Sequence, residues 1–189
     1  MAILSRSLIR VCAALTASLV VCSAVPRADQ RTATAEDDIK AAFLYNFTKF
    51  IEWPGPAPSE PFRICTVAEP AFASALDRTI AGESVNGRPI QRITPPTPDT
   101  ARTCAILFLG RMENDRAERW IAAVRSLPVL VVGESRAVWD RGAQINLVVE
   151  DNRVKFDVNA DTAAQAGLTI SSKLLRVARN VSPKRGGSA

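Results

Sequence analysis

The sequence predicts an α/β fold: a mostly parallel sheet flanked by helices on both faces, with an antiparallel hairpin from Gln144 to Val158 and a C-terminal helix. Three observations carry that prediction. Cys104 to Leu109 is a run of six nonpolar residues closed by Gly110, too short for a buried helix and suited to a central strand covered on both faces. From Phe62 to Val132, strand-like and helix-like segments alternate, which calls for right-handed crossovers and parallel pairing. Gln144 to Glu150 and Val154 to Val158 each alternate nonpolar and polar residues and are joined by a turn at Asp151-Asn152, the pattern of a hairpin.

Taken in order, the chain opens with Arg6 and Arg10, a nonpolar run from Val11 to Val21, and small residues at Ser23, Ala24 and Ala28. That pattern is a secretory signal peptide over residues 1–28, and its nonpolar run falls short of the roughly 20 residues needed to span a bilayer. Cleavage near Ala28 removes Arg6, Arg10 and Arg27 from 24 basic residues and none of the 19 acidic ones, so the formal net charge falls from +5 to about +2. Basicity then no longer argues for nucleic acid as a partner, and no membrane insertion is expected after cleavage. Cys12 and Cys22 also leave, so Cys65 and Cys104 remain in a compartment where disulfides persist.

Residues 29–37 read as a flexible lead-in, and 38–181 as one domain. Asp37 or Asp38 is placed to cap a helix in which Ile39, Phe43, Phe47 and Phe50 share a face. Asn46 falls inside that nonpolar arc and is expected to be a buried amide tying the helix to a nearby loop, while Tyr45, Lys49 and Glu52 lie opposite. Trp53-Pro54-Gly55-Pro56 ends the helix. Phe62 to Val67 is a strand, Pro70 to Ile80 a helix with proline in its first turn, Asn86-Gly87 a turn, and Pro89 to Ile93 a short strand near an edge. Asn114 to Arg125 is a helix, Val129 to Val132 a strand. Gly167 stops a short helix after Asp161, Ser171 or Ser172 caps a last one, and 182–189 is a basic flexible tail.

The chain contains no histidine, which removes the usual general base near neutral pH, the Ser-His-Asp arrangement and most zinc sites. Gly133-Glu134-Ser135-Arg136-Ala137 is a degraded nucleophile elbow, and Ser135 is better read as a helix cap. No glycine-rich phosphate cradle is present, nothing fixes two acids at a catalytic separation, and no metal or cofactor is expected. The ends of the parallel strands place Glu69, Arg111, Glu134 and Ser135 where α/β sheets form a ligand crevice. Cys65 and Cys104 lie in two candidate strands; a disulfide requires Cα atoms within about 7 Å, and two buried thiols are the alternative.

The stretch Ile39-Lys-Ala-Ala-Phe-Leu-Tyr-Asn-Phe-Thr-Lys-Phe-Ile-Glu-Trp-Pro54 resembles the opening helix of the YfiR/HmsC-like periplasmic proteins. Gly142-Ala-Gln-Ile-Asn-Leu147, Val154-Lys-Phe-Asp-Val-Asn159 and Ala166-Gly-Leu-Thr-Ile-Ser-Ser-Lys-Leu-Leu-Arg-Val-Ala-Arg179 resemble its C-terminal block, so the match runs from about Asp38 to Val181. The resemblance implies a periplasmic, often dimeric domain that is not an enzyme. Its best-understood members bind the periplasmic sensory part of an inner-membrane diguanylate cyclase and hold it inactive, lowering cyclic di-GMP and biofilm formation. Cys65 and Cys104 resemble the family's N-terminal cystine. The second cystine of some members has no counterpart after Cys104, so redox control through it is not expected here.

The leading expectation is therefore a repressor of an inner-membrane diguanylate cyclase, itself a homodimer, with a partner surface at Arg153, Lys155 and Asp157 on the hairpin and at Tyr45 and Trp53. The alternative is a periplasmic small-molecule sensor using the strand-end crevice.

Overall fold

The computed structural model describes residues 27–55 and 60–182; of the expected signal peptide (1–28) all but residues 27 and 28, and of the expected tail (182–189) all but Ser182, lie outside them. Its helices are α1 (Arg27–Phe50), α2 (Pro70–Ile80), α3 (Asn114–Val124), α4 (Arg136–Asp140), α5 (Ala160–Gln165) and α6 (Ser172–Val177). Its strands are β1 (Ile51–Glu52), β2 (Phe62–Val67), β3 (Ser84–Val85), β4 (Arg88–Ile93), β5 (Ile106–Leu109), β6 (Leu130–Gly133), β7 (Ile145–Glu150), β8 (Arg153–Asn159), β9 (Thr169–Ile170) and β10 (Asn180–Ser182). Eight strands form one sheet in the order β10-β8-β7-β6-β5-β2-β4-β3, parallel from β4 through β7, while β1 and β9 make a separate antiparallel pair.

The nonpolar run predicted to be central is central. β5 lies between β2 and β6, and all four of its residues are buried. Period-2 alternation divides them between two cores: Ile106 and Phe108 join α1 and α2 on one face, Leu107 and Leu109 join α3 on the other. Helices therefore cover both faces. Cys65 and Cys104 are disulfide-bonded, with Cα atoms 5.9 Å apart, inside the α3 core.

Two turns have the left-handed backbone that the hairpin residues supply. Asn86 and Gly87 (φ 51° and 78°) reverse β3 into β4, and Asp151 and Asn152 (φ 51° and 57°) reverse β7 into β8.

Several expectations need correction. Residues 29–37 are helical, part of α1 rather than a lead-in, in keeping with good helix formers at Ala28, Ala33, Ala35 and Glu36. Helix α1 buries Lys40, Ala41, Leu44, Phe47 and Thr48, whereas Ile39 is 46% exposed and Asn46 is exposed, so Asn46 is not a buried tie. The buried arc is rotated because α1 packs against α2 as well as the sheet. Phe43, on the flank, meets Phe156 of the hairpin edge-on, with centroids 5.5 Å apart. Finally, the chain does not trail off at Val181: Asn180–Ser182 adds a parallel strand beside Asp157–Asn159.

Candidate functional site

The C-terminal ends of β2, β5 and β6 deliver Glu69, Arg111 and Glu134 to one crevice of about 650 Å³, roofed by the α1 residues Glu36, Asp37 and Lys40. Ser135, the fourth residue expected there, belongs to an adjoining cavity of about 330 Å³ that shares Lys40, Arg111 and Glu134. Its hydroxyl accepts the backbone N–H of Val138 at 3.4 Å, capping α4 as expected.

Lys40 joins roof to floor. It is 3% exposed, and its Nζ lies 2.5 Å from Glu36 Oε1 and 2.5 Å from Glu134 Oε2. Glu134 Oε1 also accepts the backbone N–H of Arg111 at 3.2 Å. Burial by itself would lower the Lys40 ammonium, but hydrogen bonds to Glu134 and Glu36 outweigh it and hold the group above its ordinary value. Asp37 is pushed above the usual carboxylate range by burial; Lys40 opposes this, and Glu134, Glu36 and Asp38 reinforce it. Sequence reading missed Lys40, although Glu36 four residues earlier is the spacing of a helical ion pair.

The hairpin's polar face is not the open surface it was expected to be. Asp157 is 8% exposed, held by Arg179 through bonds of 2.9 and 2.5 Å and by Asn180 at 3.0 Å, all from the C-terminal strand segment. Burial pushes its carboxyl up, yet the hydrogen bonds from Arg179 and Asn180 bring the net value below the ordinary one. Asn146, its register partner, is 9% exposed. Lys155 pairs with Glu150 at 2.5 Å, and Arg153 remains exposed at the turn.

Tyr45 and Trp53 are engaged within the domain. The Tyr45 hydroxyl donates to the Glu83 carboxylate, and Lys49 stands 4.0 Å from its ring centroid. The Trp53 indole N–H donates to the carbonyl of Ala105 at 3.1 Å, and its ring meets Phe62 edge-on. These two residues lock α1 and the segment after it onto the sheet. Of the expected partner surface, Arg153 stays exposed and Lys155 stays accessible in its pair with Glu150; Val149, which was not expected there, is 42% exposed beside them.

Among the described residues no cluster of cysteine and carboxylate side chains has the make-up of a metal site, and no helix is long and apolar enough to cross a membrane. Glu134 is committed to Lys40 and to a backbone N–H, so the crevice offers a binding wall of fixed charges.

Comparison with known proteins adds a family. The sequence model of the proteins described as YfiR/HmsC-like matches residues 37–179, from the second half of α1 to the arginine that clamps Asp157. A crystal structure of a conserved domain protein from Vibrio cholerae has a similar fold, with a TM-score of 0.55 at 14% identity; the match covers 77% of this chain and 60% of that one. This chain thus spans about three-fifths of that protein's length. A weaker likeness, TM-score 0.45 at 11% identity over 64% of this chain and 55% of the other, is to a Streptococcus domain in complex with L-Trp, and it supports no inference about ligands.

Proposed function

Because the chain belongs to the YfiR/HmsC-like family, we propose that it is a periplasmic repressor that binds the periplasmic sensory domain of an inner-membrane diguanylate cyclase and holds the enzyme inactive. Lower cyclic di-GMP and less biofilm follow from that action. The family is one of periplasmic regulators of diguanylate cyclases, regulatory rather than catalytic. The observation that carries the proposal is the extent of the match, which runs over residues 37–179 and so includes both cores. The buried Cys65–Cys104 bond agrees with an oxidising compartment.

The hairpin supports the choice of docking surface. β7 pairs with β6 only at Ile145 and Asn146, so from Leu147 to Glu150 its strand partner is β8 alone. A stretch of strand without a second strand neighbour, with Val149 exposed in it, is suited to receiving an extended segment of another protein. Crosslinking in intact cells, followed by capture of this protein and mass spectrometry, should recover a membrane diguanylate cyclase. Val149→Asp or Arg153→Glu should deplete it. Recovery of no membrane cyclase from cells that express one would contradict the proposal.

A second reading, a periplasmic small-molecule sensor, is favoured by one observation: the crevice of about 650 Å³ at the ends of β2, β5 and β6.

A further inference from the structure

Two buried amides lie along the seam between β6 and β7. The Oδ1 of Asn146 has no hydrogen-bond partner among the described residues, but it is sealed against Gly133, where a Cβ would stand 3.2 Å away, so no ligand can reach it. Gln144, 5% exposed, is placed differently. The β6–β7 pairing begins at Val132 and Ile145, and the N–H of Val131, one residue short of it, donates instead to Gln144 Oε1 at 2.6 Å. A backbone N–H can only donate, so the oxygen of this amide must face Val131 and its NH2 group is turned to the cavity that Gln144 lines. Gln144 Nε2 donates to nothing among the described residues and, unlike Asn146 Oδ1, is not sealed off.

That cavity has a volume of about 490 Å³, within the roughly 300–1,000 Å³ of small-molecule sites. It lies at the N-terminal ends of β6 and β7, at the opposite end of the sheet from the crevice of Glu69, Arg111 and Glu134. Ile121, Val124 and Val131, all buried, give it an apolar floor. Glu118 accepts from Arg125 at 2.9 Å and from Arg141 at 3.4 Å, which fixes both guanidinium groups at the rim and leaves most of their N–H groups unused. Asp140 accepts from Arg136 at 2.8 Å. The two arginines and two carboxylates lining the cavity therefore balance, and no surplus charge calls for an ion. What remains is directional: a deep donor on Gln144, spare donors on two arginines, and the amide of Gln165, which can both donate and accept.

We propose that this cavity binds a neutral N-acetylated sugar. An acetamido group carries a carbonyl beside a methyl, which matches a donor set into an apolar floor: the carbonyl accepts from Gln144 Nε2, and the methyl covers Ile121, Val124 and Val131. The ring hydroxyls both donate and accept, as a rim of Arg125, Arg141, Asp140 and Gln165 requires. An inorganic anion would face Glu118 and Asp140 and leave the floor uncovered. The proposal concerns binding by this chain alone and depends neither on a protein partner nor on the crevice at the other end of the sheet.

The probe is N-acetylglucosamine, compared with glucose, which lacks the acetamido group, and with inorganic phosphate, each titrated into the purified protein and followed by methyl NMR. N-acetylglucosamine should shift the methyl signals of Ile121, Val124 and Val131 saturably, with a dissociation constant of about 1 mM or tighter. Glucose should bind about tenfold more weakly, the loss expected when a buried hydrogen bond is not made, and phosphate should leave these signals unmoved. Gln144→Glu keeps an oxygen for the N–H of Val131 and replaces the NH2 group by a second oxygen, so it should weaken N-acetylglucosamine about tenfold or more. Arg141 is exposed, so Arg141→Ala tests the rim without testing folding; it should weaken N-acetylglucosamine about fivefold. No saturation, equal binding of glucose, indifference to both substitutions, or the same methyl shifts with phosphate would overturn the proposal.

Discussion

On one side of the sheet's centre, Cys65 of β2 is bonded covalently to Cys104, the residue that leads into β5, within the core under α3. On the other side, Asp157 of β8 is held by Arg179 and Asn180, and the fastening is ionic and near the surface. The first joint responds to reductant and is indifferent to pH; the second responds to pH and salt and is indifferent to reductant. The lasting joint thus lies away from the hairpin, and the reversible one lies beneath the surface proposed to meet a partner.

Breaking the covalent joint should have the largest effect. Replacing both Cys65 and Cys104 by serine releases a loop closed across 39 positions, and the chain-entropy model gives a loss of about 4 kcal/mol. Urea denaturation of the variant, or of the reduced native protein, measures it; an unchanged midpoint would show that the bridge is idle. Next comes Lys40→Met, which leaves Glu134 and Glu36 facing an apolar group. Removing one partner of a buried pair costs about 3 kcal/mol, and the Lys40→Met, Glu134→Leu double variant should recover part of the loss.

Asp157→Asn removes the anion beneath Arg179 and should cost about 1–2 kcal/mol, the lower part of the range for charged hydrogen bonds, because the Arg179 side chain is 28% exposed. Acid does the same reversibly. The folded carboxyl of Asp157 lies below its ordinary value, so its contribution is full above the unfolded pKa of about 4 and is lost as pH falls through the lower folded value. Asp37 shifts the other way and offsets part of this loss. Amide exchange at low pH should therefore loosen β10 before β5; equal loosening would erase the distinction between the joints. The smallest effect belongs to Glu150→Gln, an exposed partner of Lys155, for which no measurable change in stability is expected.

Much of this frame was legible in the sequence because local pattern and global position agree there. The bounds of β2 and α2 follow from Phe62 to Val67 and from Pro70 to Ile80, and six nonpolar residues in a row located the centre of the sheet. Arg111 and Glu134 were legible from the topology, since parallel strand ends converge. What escaped depends on long-range packing. The turn of α1 that hides Lys40 and exposes Asn46 is set by α2, which no periodicity within α1 reveals. The enclosure of Asp157 depends on Arg179 and Asn180, more than 20 residues away, just before and at the start of a strand of three residues too short to announce itself. The isolation of Asn146 depends on a glycine in another strand.

The most direct test of the regulatory account is the cyclic di-GMP level in cells that express the partner cyclase, measured with the gene for this protein deleted and then restored. The account predicts a rise on deletion that the wild-type protein reverses and the Val149→Asp variant does not. A level unchanged by deletion would contradict it.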